Sequence, residues 1–104
     1  RQERFGEAIP HFEAVLAARP ENLSVRANLA IALLEVGRLG EAIFQAEETV
    51  RRNPRFPLGH LALGKSLLRA GKSEQGREQL KQVLKSDPGN VEARLLLRQS
   101  SQDP

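Results

Sequence analysis

Gly59-His60-Leu61-Ala62-Leu63-Gly64-Lys65-Ser66 matches G-x-x-x-x-G-K-[ST], the pattern of a phosphate-binding loop. That chemistry needs a flexible loop between a strand and a helix, with free backbone amides converging on phosphate. No β-run precedes the match, and no apolar strand ending in Asp follows it. The match also falls inside a helical pattern, where amides are consumed by intrahelical bonds. It reads as chance agreement, and nucleotide binding is not expected. His11 and His60 are the only histidines. With no cysteine and no carboxylate pair at ligand spacing beside them, neither is expected to hold a metal or to move a proton. His11 reads as a surface residue. Ser24, Ser66 and Ser73 lack a local base, and there is no nucleophile elbow. Arg51, Arg52 and Arg55 cluster without interleaved aromatics, so they read as solvated side chains favouring a negative helix C-terminus rather than as a nucleic-acid site. Lys65 and Arg69 stand one helical turn apart and can grip a carboxylate, Arg by a two-point fork. The chain is therefore read as a binding protein and not an enzyme, with no cofactor implied.

Composition narrows the class further. A length of 104 residues suits one domain, and 39% apolar with 28% charged residues is ordinary for a helical globular chain. Alanine and leucine are abundant and β-branched runs are absent, which disfavours strands. A net charge of +3, interspersed with Glu, is too weak to argue for nucleic acid or a membrane surface. No apolar run approaches the roughly 18 residues that span a bilayer, so membrane insertion is not expected. No signal peptide is visible. The absence of cysteine leaves the compartment open, cytoplasm and periplasm both fitting. The absence of Met reads as an excised piece of a longer protein, and the Arg- and Ala-rich helices point to a GC-rich bacterial source.

A fixed period must position these residues. Pro20, Pro54 and Pro88 are each 34 residues apart. Glu7, Glu41 and Gln75 keep the same step, as do Ala8, Ala42 and Gly76, and Leu29, Leu63 and Leu97. Such a period marks a repeat array. The spacing predicts a first helix carrying the stripe Phe5, Ala8, Ile9, Phe12, Val15 and Leu16, with Pro10 causing a mild kink or a late start near Glu7. A second helix is predicted over 23–36, capped by Asn22 and ended by Gly37, and a third over 41–52 after a tight turn at 37–40. The fourth is predicted over 58–70, with Pro57 in its first turn. The fifth follows a cap at Ser73, and the sixth, capped by Asn90, runs to about Ser100. Gly64 inside a helix costs about 1 kcal/mol relative to Ala, which makes sense only where another backbone approaches closely, at Gly76.

Each unit is thus helix, turn, helix, proline, and at this point the chain resembles the tetratricopeptide repeat. Small residues stand where that family crosses its two helices, Ala30 with Ala42 and Gly64 with Gly76. Leu29 and Leu63 hold its early leucine, and Phe12 and Leu80 its large apolar position, filled only by Ala46 in the middle unit. The early aromatic is replaced by Arg26, His60 and Arg94, the second aromatic by Leu33 and Leu67, and Thr49 stands for a small apolar residue. The resemblance implies an all-α fold, an α-solenoid of helix-turn-helix 34-residue repeats in a right-handed superhelix, with about six helices. A half repeat (second helix only) covers 4–20, full repeats cover 23–56 and 57–90, a terminal capping helix covers 91–100, and 101–104 form a frayed tail.

The resemblance also implies a concave groove lined by the first helix of each unit, where a partner's peptide or helical segment binds. By that resemblance the partner-binding residues are Asn28, Ile31, Glu35, Leu58, Ala62, Lys65, Arg69 and Leu96, with Glu92 and Gln99 beside them, while Ala27, Leu34, Leu61, Leu68 and Leu95 sit deeper. Family members that clamp the acidic C-terminus of heat-shock chaperones use Lys, Asn and Arg at set places. Asn28 fits one, but Leu58 and Ala62 occupy two that need basic residues, so that clamp is not expected. Phe44, on the outer side of its helix, is a second candidate contact. Arg98 stands where Ala30 and Gly64 allow a close crossing, which suits a terminal cap. The unpartnered face of the first helix, Ala8, Phe12 and Val15, would be bare, so either upstream helices or a second copy covers it, the latter giving a homo-oligomer. The alternative function is an architectural or self-assembly spacer of a larger multidomain protein, with no dedicated peptide ligand.

Overall fold

A computed structural model describes residues 2–101. Of the tail expected at 101–104, Ser101 belongs to the last helix instead, and 102–104 lie outside the described residues. Six helices follow one another: α1 (Gln2–Ala18), α2 (Leu23–Glu35), α3 (Leu39–Arg52), α4 (Pro57–Arg69), α5 (Ser73–Ser86) and α6 (Val91–Ser101). Local chemistry sets most boundaries. Asn22 accepts from the Val25 amide at 3.1 Å and Asn90 from the Ala93 amide at 2.8 Å, so α2 and α6 start where a side chain satisfies an orphan donor. Gly37 and Gly71 end α2 and α4 with φ of 88° and 82°. In both, the glycine amide and the next one reach back to helical carbonyls (Gly37 to Leu34, Arg38 to Leu33; Gly71 to Leu68, Lys72 to Leu67).

Three boundary expectations are corrected. Pro10 neither delays nor ends α1, which runs through it from Gln2; the helix absorbs the one lost donor. The turn after Gly37 is shorter than expected, because Leu39 and Gly40 already belong to α3. Ser73 is not a cap: it is the first residue of α5, Lys72 holds the cap position, and no side chain bonds there.

Packing follows the repeat. Within a unit, α2 lies on α3 and α4 on α5; between units, α1 touches α2, α3 touches α4, and α2 touches α4. The core divides into successive layers. Ile9, Leu29, Leu33 and Ala42 form one; Ala30, Ala46, Leu63 and Leu67 the next; Leu61, Leu80, Val83 and Ala93 the third. Gly64 and Gly76 lie against one another as the helix-interior glycine predicted. A Cβ on Gly64 would stand 3.2 Å from the Gly76 carbonyl oxygen, and one on Gly76 3.0 Å from the Gly64 oxygen. Thr49, fully buried, gives its hydroxyl to the Gln45 carbonyl at 2.8 Å and turns its methyl group onto Gly59. The hydroxyl is thereby satisfied, and the residue packs as the small apolar one it replaces.

Candidate functional site

Two cavities lie on the faces of α2, α4 and α6 to which the resemblance assigns a groove. At the N-terminal end, Asn28 and Ile31 of α2 meet Phe5, Ala8 and Phe12 of α1 around a cavity of about 390 Å³. Most of the lining is apolar, and Asn28 is exposed beside half-buried Ile31. The groove is therefore continuous with the open face of α1. Val15 is exposed, outside this lining. At the other end, Lys65, Leu68 and Arg69 of α4 meet Leu96 and Gln99 of α6 around a cavity of about 380 Å³. These two cavities gather Asn28, Ile31, Lys65, Arg69 and Leu96. Glu35 and Leu58 are half-buried and line neither.

Two placements fail, one in the lining and one beneath it. Ala62 is fully buried in the layer between α2 and α4, so no partner touches it; α4 is apolar on so many sides that spacing alone does not tell groove from core. Leu95, expected between repeats, is 45% exposed on the outside of α6.

The basic corner is also not as the sequence suggested. The Lys65 ammonium lies 2.6 Å from the Glu92 carboxylate across α4 and α6, and its side chain is only 16% exposed. A carboxylate of the same chain thus pairs with Lys65, while Arg69 at the end of α4 is exposed.

Residues with a chemical look resolve into structural roles. Gly59–Ser66 lies wholly within α4, and the Ser66 hydroxyl donates to the Ala62 carbonyl at 2.8 Å, so neither amides nor hydroxyl are presented to phosphate. His11 is exposed. His60 is buried, with Nδ1 at 2.7 Å from the Gln79 amide oxygen and Nε2 against the Pro54 carbonyl. One repeat earlier, Arg26 donates to the Gln45 amide oxygen at 2.8 Å and the Pro20 carbonyl at 3.0 Å; one repeat later, Arg94 donates to the Pro88 carbonyl at 2.9 Å. A polar strut thus ties each first helix to the proline that closes the preceding unit. The register 20/54/88, 26/60/94 and 45/79 carried that signal, and sequence reasoning saw only missing aromatics. Arg51 and Arg52 converge on Glu48, and Arg52 also reaches the Pro20 carbonyl at 3.3 Å.

Known proteins agree with this geometry. A tetratricopeptide repeat family model matches residues 1–66, and a second one matches 61–97. The chain belongs to the tetratricopeptide repeat family. It is similar to the TPR repeat-containing thioredoxin TTL4 of Arabidopsis thaliana, 35% identical over 80 residues, which are 77% of this chain and 12% of that protein. It is also similar to the Hsp70-Hsp90 organizing protein of Triticum aestivum, 32% identical over 87 residues, 84% of this chain and 15% of that one. The chain therefore spans only a small part of these relatives. Among solved structures, the first TPR of Spaghetti (RPAP3) bound to the HSP90 peptide SRMEEVD superposes with a TM-score of 0.90 at 26% identity, over 97% of this chain and 82% of that one. Among the described residues of this TPR array, no helix is long and apolar enough to cross a membrane.

Proposed function

We propose that this TPR array is a protein-interaction module that holds a peptide or helical segment of a partner in the groove along α2, α4 and α6. The observation that carries this reading is the pair of cavities on these faces, one mainly apolar around Phe12 and Ile31 with Arg4 at its edge, the other bearing Arg69. The ligand it favours has apolar side chains for the Phe12 and Ile31 cavity and an acidic group for Arg69. The peptide complex of the structurally similar RPAP3 domain supports the class of ligand. It does not supply the same clamp, because Leu58 and the buried Ala62 stand where that resemblance would require cations.

Affinity capture of the wild-type chain, beside Ile31→Glu and Arg69→Glu variants, tests the reading. A partner held by the wild type and lost with both variants, at unchanged melting temperature, is the expected result. A partner held equally by all three would exclude the groove. Self-assembly is the competing reading, through Ala8, Phe12 and Val15. It requires Phe12→Asp to lower the mass seen by light scattering, and Ile31→Glu and Arg69→Glu to leave partner capture unchanged.

A further inference from the structure

On α2, Arg26, Leu29 and Leu33 point away from Asn28, Ile31 and Glu35, by the roughly 100° that each helical residue turns. They floor a second groove, of about 470 Å³, between α1 and α3 on the outer side. Its middle is apolar, with Leu16 and Phe44 as walls, and Phe44 is 58% exposed. Its two ends differ in charge. Glu13 and Glu41 stand at the Leu33 end, where Glu41 is shared with Arg38. Arg26 stands at the other, beside Gln45.

Arg26 is the anomaly. The residue is only 8% exposed, its two terminal nitrogens bond neutral oxygens, and its Nε–H is buried with no partner. It is the single buried side-chain polar atom left unsatisfied among the described residues. Among the same residues no carboxylate lies within ion-pair reach of it; the nearby Glu48 is held by Arg51 and Arg52. Burying an uncompensated cation is costly. Two other features of the groove are not demanded by the repeat. One period on, Phe44 becomes Glu78 and Gly40 becomes Glu74. Gly40 lies at the groove mouth with ordinary dihedrals, and a Cβ there would meet nothing within 4 Å. Its missing side chain simply leaves the mouth open.

We infer that this outer groove binds an extended segment of a partner polypeptide in which an acidic, a large apolar and a basic residue follow one another. From Arg26 to Leu33 the floor is about 10 Å long at 1.5 Å per helical residue, which about three extended residues span. The carboxylate takes the place of the Gln45 amide oxygen on the guanidinium, giving a charge-assisted bond in place of a neutral one. The apolar side chain lies on Leu16, Leu29 and Phe44, and the basic group meets Glu13, since Glu41 is held by Arg38. This site is independent of the groove along α2, α4 and α6.

The test is an NMR titration of the isotope-labelled chain with the blocked peptide acetyl-Gly-Asp-Phe-Lys-Gly-amide. Saturable shifts of the Gly40 and Phe44 amides and of the Arg26 Nε–H are expected at millimolar peptide. Phe44→Glu and Gly40→Leu should each weaken binding about tenfold or more. Both leave the fold intact, since Glu78 occupies the first position one repeat later and open space surrounds the second. Lys65→Glu/Arg69→Glu should change nothing, which separates this site from the inner groove. The inference is overturned by the absence of saturable shifts at these positions, by shifts centred on Asn28 and Arg69, or by equal binding of acetyl-Gly-Ala-Phe-Ala-Gly-amide, which lacks both charges. Shifts of the same residues on concentrating the chain without peptide would assign the groove to a second copy, and would equally overturn it.

Discussion

Gly64 and Gly40 are both helical glycines, and their surroundings require opposite responses to a methyl group. A Cβ on Gly64 would meet Leu80 Cδ2 at 2.9 Å and the Gly76 carbonyl at 3.2 Å, and Leu80 is fully buried with nowhere to retreat. Gly64→Ala gains helix propensity but overpacks, so a net loss of about 1–2 kcal/mol is expected in urea unfolding. Gly40→Ala meets open space and should stabilise by up to about 1 kcal/mol in the same assay. Charge at the residue scale shows itself in acid. Hydrogen bonds from Arg51 and then Arg52 hold the Glu48 carboxyl below its ordinary range. A carboxyl with a folded-state pKa depressed in this way adds stability above its unfolded pKa and loses it as pH falls through the folded one. Glu48→Gln should therefore melt below the wild type at neutral pH. The difference should vanish under acid conditions where Glu48 is protonated in both states, as thermal melts across a pH series would show.

Between elements, the Lys65–Glu92 pair joins α4 to α6 beside the cavity proposed for a ligand. It was not legible in the sequence. The two residues lie in different repeats, and the 34-residue register places Glu92 over Ser24 and Leu58, neither of which anticipates a carboxylate. Glu92 competes with any acidic ligand for Lys65. Glu92→Gln should therefore raise the affinity for an acidic partner segment several-fold, and Lys65→Glu should cancel the gain, as fluorescence anisotropy with the captured partner's segment would measure. What the sequence did show were features repeated at a fixed step, because stacking imposes the same geometry on each unit. The proline stops, the Asn22 and Asn90 caps, the glycines after α2 and α4 and the Gly64–Gly76 crossing were all readable. The misreadings lie where that symmetry is silent. Family resemblance puts Ala62 in the groove, but α4 is buried on so many sides that it falls in the core, and the register alone does not create a cap at Ser73. The struts from Arg26, His60 and Arg94 were periodic yet were missed, since an aromatic position filled by a donor reads as a loss until its carbonyl partner is seen.

Across the whole molecule, each helix meets only its neighbours in the stack, so stability should be distributed unevenly along the chain. Among the described residues, α4 touches α2, α3, α5 and α6, and α2 touches three helices; α1 touches α2 alone, and α6 rests on α5 with a slight contact to α4. Only Ala93 and Ser100 are buried in α6. Native-state hydrogen exchange should accordingly show a gradient, with α6 and α1 amides opening first and those of α2 and α4 last. Leu80→Ala provides the decisive perturbation. Leu80 is fully buried in the layer that also holds Ala93, so its truncation should cost about 2–5 kcal/mol locally. In a nearest-neighbour stack that loss falls mainly on α5, α6 and the facing side of α4, and exchange in α1 and α2 should change far less. A uniform rise in exchange across all six helices would show instead that the 104 residues open as one cooperative unit, and that the repeats are a symmetry of the sequence without being units of stability.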